Sequence, residues 1–161
     1  MMIEIRKKRI IWVLCTILWM LLIFSFSAQP AKESSGTSGY VATLFAKTFV
    51  PQYEKWSKSK QEKFIEKINF PIRKGGHFME YAVLGGLLYM SFYTCGHIKR
   101  RGIVSILVGV LYAGSDEFHQ LFVQGRSGQI TDVLLDSCGC VVGVLLVMSI
   151  VKKIEAKNKG V

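Results

Sequence analysis

Three short stretches concentrate the side chains that could do chemistry. The first reads Arg73-Lys74-Gly75-Gly76-His77-Phe78-Met79-Glu80-Tyr81, and the second reads Ser115-Asp116-Glu117-Phe118-His119-Gln120. The third begins Gly125-Arg126-Ser127-Gly128 and continues to Asp132 and Asp136. On a helix, Arg73, His77, Glu80 and Tyr81 recur at three- and four-residue steps and share a face. Asp116, His119 and Gln120 share another, and Asp132, Asp136 and Gly139 a third. Carboxylates in unlike environments suit acid and base work: a deep Asp116 or Glu117 can stay protonated while a surface Asp132 ionises, with His119 as the proton shuttle. Arg126 could grip a phosphate or carboxylate as a two-toothed fork, with Lys74 as a point charge beside it. Asp116-x-x-His119 and His77-x-x-Glu80 also place a carboxylate and an imidazole on each of two helices, as metal sites in helical bundles do. The plainer alternative is a structural lock in which Arg73, Lys74 and Arg126 neutralise the acids. Glu80, Asp116, Glu117, Asp132 and Asp136 outnumber those bases, which favours a polar site over a lock. No His-Glu-x-x-His occurs, which argues against a zinc protease. Gly125-Arg126-Ser127-Gly128 matches the rhomboid nucleophile motif only superficially and reads as a tight turn.

The elements that carry these residues follow from where charge is missing. The chain has 161 residues, 50% of them hydrophobic, and a formal net charge of +10. Its mean hydropathy is nevertheless positive, at +0.32. The charges and the apolar residues are segregated: residues 10–26, 81–95 and 103–115 carry no charge, and residues 133–151 carry only Asp136. Such runs fit helices crossing a hydrocarbon core of about 30 Å. They exclude an ordinary cytosolic enzyme, a disordered tail and a secreted disulfide scaffold. The expected fold is an all-α, four-span membrane bundle forming a single domain, with spans at about 10–26, 76–95, 103–123 and 133–151. A signal peptide fits the first span less well, because its apolar run exceeds the usual length. Arg6-Lys7-Lys8-Arg9, Lys99-Arg100-Arg101 and the group Lys152, Lys153, Lys157 and Lys159 all fall on one side of such a bundle. By the positive-inside rule that side is cytoplasmic, as are both termini. No basic helix or aromatic-basic face remains for nucleic acid.

Residues 27–73 then form an external segment. Within it residues 40–50 space Val41, Leu44, Phe45 and Phe49 as an amphipathic helix, and a second begins at Ser59 and Glu62 in capping-box spacing and ends at Pro71. In the second, Phe64, Ile65 and Ile68 oppose Lys60, Lys63 and Lys67, a pattern that suits either the outer membrane surface or the bundle's mouth. Gly85-Gly86, Gly109 with Ala113, and Gly139 with Gly143 let helix backbones approach closely. Cys15, Cys95, Cys138 and Cys140 have no metal or disulfide spacing and read as small apolar filler. With alternating spans, all the polar residues above fall in the outer third of the membrane, Asp116 about 10 Å inside an edge near Val123. Ionisable groups facing lipid cost about 2.5–3.5 kcal/mol each near a helix centre, so they must face inward.

Taken in order, Ser27-Ala28-Gln29, Lys74-x-x-His77-x-x-Glu80-Tyr81, Ser115-Asp116-Glu117-x-His119-Gln120, Gly125-Arg126 and Asp132-Val-x-x-Asp136-x-x-Gly139 resemble the VanZ-like family of bacterial membrane proteins. The resemblance covers roughly residues 10–151. The family is named for a gene product associated with low-level teicoplanin resistance; the resemblance implies a bacterial cytoplasmic membrane and a cell-envelope context, and it supplies no reaction, cofactor or metal. Three functions stay open beside it. In the first, the polar site and the amphipathic helices engage a membrane lipid, a lipid-linked envelope precursor or the acyl tail of a lipoglycopeptide, with Lys74, His77, Glu80, Gln120, Arg126, Asp132 and Asp136 binding. In the second, an enzyme hydrolyses or transfers a phosphoryl or acyl group on a lipid, with Glu117, Asp116 and His119 as acid and base. In the third, the bundle is structural and held by ion pairs.

Overall fold

The computed structural model of the chain describes residues 2–96, 98 and 100–159, with side chains from residue 6 to residue 158. Lys99 and the side chain of Lys159, both assigned above to cytoplasmic clusters, lie outside the described residues. Five helices follow one another: α1 Met2–Ser27, α2 Ala31–Phe49, α3 Lys58–Thr94, α4 Arg101–Gln120 and α5 Ile130–Lys159. A 3₁₀ turn at Tyr53–Lys55 separates α2 from α3, and there is no strand among the described residues. Segments Arg6–Ser27 of α1 and Ile130–Asn158 of α5 are long and apolar enough to cross a membrane. In α4 and α3 the apolar stretch shares its helix with charge: Arg101, Asp116 and Glu117 in one, the lysine-rich first half in the other.

The helix boundaries differ from the sequence expectation in four places. Pro71 does not end a helix; α3 runs through it for 37 residues, about 55 Å. Proline removes one backbone N–H and crowds the preceding turn. Here Lys67 lies one turn before it and Arg73 and Lys74 follow it, so the carbonyl freed from the helix ladder falls in a charged stretch of α3. Second, α2 begins at Ala31, not at Tyr40. Its first half, Ser34-Ser35-Gly36-Thr37-Ser38-Gly39, has poor helix propensity, and tertiary contact overrides that. Buried Ser38 donates to Asn69 Oδ1 of α3 at 2.5 Å, and the Asn69 amide donates back to the Ser35 carbonyl at 3.2 Å. Third, the capping box at Ser59 is not formed. Ser57 is the N-cap residue, and Gln61 instead reaches back to the carbonyls of Tyr53 and Trp56 at 3.0 and 3.2 Å. Fourth, α4 stops at Gln120, so Asp116 lies one turn, about 6 Å, from the helix end.

The small residues do what their spacing implies. A Cβ on Gly139 would collide with the Phe78 carbonyl, one on Gly143 with the Ala82 carbonyl, and one on Gly85 with the Cys140 carbonyl. The backbones of α3 and α5 therefore touch along two turns. On the other side of α5, Gly109 of α4 receives the Cys140 sulfur. All four cysteines are free thiols. Tyr81, Leu84, Leu88, Ile23, Ala113 and Val144 fill the centre. Three hydrogen bonds hold α1 to this core: Thr16 to the Ser91 hydroxyl at 2.9 Å, Trp19 Nε1 to the Glu80 carbonyl at 2.9 Å and Tyr112 Oη to the Met20 carbonyl at 2.6 Å. The bundle's outside is apolar, with Leu14, Leu18 and Leu21 of α1, Leu107 and Leu111 of α4, and Leu146 and Ile150 of α5 all exposed.

Candidate functional site

At one end of the bundle, four elements converge on the polar residues. The connection between α4 and α5, residues 121–129, folds back over the end of α1. It can do so because Gly125 takes φ 74°, a backbone that side chains disfavour, and because the Ala31 N–H donates to the Gln124 carbonyl. That turn delivers Arg126. Its Nε donates to the Gln29 carbonyl at 2.9 Å, Nη1 to Gln120 Oε1 at 3.1 Å and Nη2 to the Phe26 carbonyl at 3.2 Å. Burial, helped by the nearby Arg73 guanidinium, lowers the pKa of Arg126, yet an arginine stays protonated. Gln120 passes the contact inward: its Nε2 donates to Glu117 Oε1 at 2.9 Å and, at 3.5 Å, to Asp116 Oδ2. The Gln129 N–H meets Glu117 Oε2 at 2.9 Å.

Below Gln120 lie Asp116, Glu117 and Asp136, all buried, each offering an oxygen within 4.8 Å of the others. Among the described residues no lysine or arginine pairs with them. Among the described residues, the lock expected of Arg73, Lys74 and Arg126 is realised only between Lys74 and Asp132, a part-buried ion pair. His77 Nδ1 stands 3.8 Å from Glu80 Oε2. His119 is set apart: its ring packs on Phe24 with centroids 4.5 Å apart, its Nε2 is buried without a partner, and it has no hydrogen bond to Asp116 or Glu117 among the described residues.

Two cavities open beside this cluster. One, of about 170 Å³, lies between α2, α3 and the end of α1, with Phe26, Val41 and Ile72 among its walls and Glu80 at its side. The other, of about 90 Å³, is lined by Lys74, Gln120, Ser127 and Asp132. Arg73, His77 and Arg126 line both. An apolar slot thus adjoins a small cationic chamber.

A family model described as VanZ/LLP1 matches residues 12–152, which takes in most of α1 and α5 and everything between. The chain belongs to the VanZ/LLP1 family. No curated protein and no solved structure matches it. In this VanZ/LLP1 chain, the structure groups the expected residues in three ways. Asp116, Glu117 and Asp136 meet with Gln120 above them; Lys74, His77, Arg126 and Asp132 surround the cationic chamber; Glu80 faces the apolar slot. His119 joins none of these groups. Sequence reasoning missed the α2 wall of the slot, where Ser34, Thr37, Ser38 and Val41 stand. Their four-residue rhythm was a signal, hidden by the serines and glycines that usually mark a loop. It also passed over Tyr81 as a site residue, although that side chain is fully buried next to the acids.

Proposed function

We propose that this VanZ/LLP1 protein crosses a bacterial cytoplasmic membrane four times, with its polar end in the outer leaflet, and holds an amphiphile there. The outward apolar surface of α1, α4 and α5 supports immersion in lipid, since soluble proteins rarely expose apolar patches that large. Orientation follows from the opposite end of the bundle, where Arg100, Arg101 and Lys152 gather around one cavity, the short-loop bias expected of a cytoplasmic face. One observation carries the function: the apolar slot and the cationic chamber share Arg73, His77 and Arg126. An anionic headgroup, a phosphate above all, sits against Arg73, Lys74 and Arg126 while its hydrocarbon tail lies between α2 and α3. The exposed apolar stripe Tyr40, Leu44, Phe45 and Phe49 on α2 extends that slot toward the bilayer. A lipid-linked envelope precursor and the acyl tail of a lipoglycopeptide both fit, and low-level teicoplanin resistance follows from the second.

The test is competition for a fluorescent phosphatidic acid bound to the purified protein in detergent. Unlabelled phosphatidic acid should displace it about 100-fold better than diacylglycerol with the same chains, the worth of two charge-assisted contacts. Arg73→Gln with Lys74→Gln should erase that preference. Teicoplanin should compete and vancomycin, which lacks the tail, should not. Equal displacement by the two lipids from the wild type would overturn the proposal.

A further inference from the structure

Asp116, Glu117 and Asp136 are three buried carboxylates side by side, and among the described residues none of them is in an ion pair, an unstable arrangement. Among the described residues, both oxygens of Asp136, a residue 0% exposed, and Oδ1 of Asp116 have no hydrogen-bond partner. Two neutral side chains point to something between them. The Tyr81 hydroxyl, on a residue 0% exposed, is also unpartnered, and the carboxylates of Asp116, Asp136 and Glu117 all act on it. Ser27 Oγ, on a residue 1% exposed, faces Asp116. Among the described residues the Tyr81 hydroxyl makes no hydrogen bond to any of the three acids, although it is buried against them.

We propose that Asp116, Glu117 and Asp136 hold a divalent cation, with Tyr81 and Ser27 completing an all-oxygen cage. The donor set is hard and contains no sulfur or imidazole, which selects Mg²⁺, Ca²⁺ or Mn²⁺ over zinc and copper. Each acid offers an oxygen within 4.8 Å of the other two, close enough for all three to reach one cation. Gln120 lies between this cage and the cationic chamber, so its amide orients the acids from the side on which an ion enters. The site does not depend on the amphiphile.

The experiment is Mn²⁺ titration of the full-length protein, stripped with chelator and held in detergent, read by the loss of free-ion electron paramagnetic resonance signal and by melting temperature. The wild type should bind about one Mn²⁺ saturably, release it to excess Mg²⁺ or Ca²⁺, and melt higher with the ion than without. Asp136→Asn keeps the shape and removes one charged ligand. It should weaken binding roughly 100-fold, at least what losing an outer-shell partner costs, and abolish the melting shift. Tyr81→Phe gives a second test if Asp136→Asn does not fold, with an expected loss of about tenfold. Absence of saturable binding by folded wild type, or equal binding by Asp136→Asn, which would assign the ion to surface acids, overturns the proposal.

Discussion

Gly143→Ala should lower the stability of the detergent-solubilised protein by about 2–3 kcal/mol. Helix propensity alone gives the opposite sign, since replacing a mid-helix glycine by alanine gains about 1 kcal/mol. The sign reverses because a Cβ at residue 143 would run into the Ala82 carbonyl oxygen, a backbone atom with no rotamer to escape into. The α3 and α5 backbones would have to separate, and Gly139 against Phe78 and Gly85 against Cys140 lie on the same seam. Melting should fall by roughly 5–10 °C. Gly75→Ala is the control: nothing lies within 4 Å of a Cβ there, so the propensity gain should appear uncancelled. Equal melting temperatures for Gly143→Ala and Gly75→Ala would mean that the seam is not packed as described.

Arg126→Ala carries the second large effect, and its two readouts separate. Its guanidinium joins the 121–129 connection to the end of α1 and, through Gln120, to the buried acids. Hydrogen bonds to charged groups are worth about 1.5–3 kcal/mol each, and the carbonyls of Phe26 and Gln29 can turn to water when the side chain is lost. The net stability loss should therefore be modest, about 2 kcal/mol. Loss of phosphatidic acid binding should be larger, about 100-fold, because the fork is shared by both cavities. Arg126→Lys restores the charge without the fork and should recover only part of the affinity. Full recovery by lysine would show that charge alone positions the ligand.

Much of this architecture was legible before any coordinates. Charge-free runs marked the apolar stretches of α1 and α5, the two helices long and apolar enough to cross a membrane, and the glycine pairs marked the seam between α3 and α5. The convergence of Lys74, Arg126 and Asp132 followed from alternating directions. What stayed hidden was set by tertiary contact. α2 is helical from Ala31 because Ser38 and Asn69 pair across to α3, which no local propensity encodes. Glu117 and Asp116 are adjacent, so on a helix they leave in different directions. A face argument seats Asp116 with Gln120, and only the cost of an acid facing lipid turned Glu117 inward in the sequence reading. Glu117 turns inward because the returning connection brings the Gln129 N–H to it, and only the fold makes that pairing. His119 lies on the face of Asp116 as the spacing implied, and its ring also packs on Phe24.

The central claim is that the cationic chamber opens on the outer side of the membrane. It is tested most directly by thiol labelling of intact cells with a membrane-impermeant maleimide. Two single-cysteine proteins suffice: Ser127→Cys, at an exposed rim position, with all four native cysteines replaced by alanine, and one that keeps Cys95 alone near the other end of α3. The Ser127→Cys protein should label without permeabilisation, and the Cys95 protein only after the cells are opened. Labelling of Cys95 in intact cells, with the Ser127→Cys protein protected, would contradict the account.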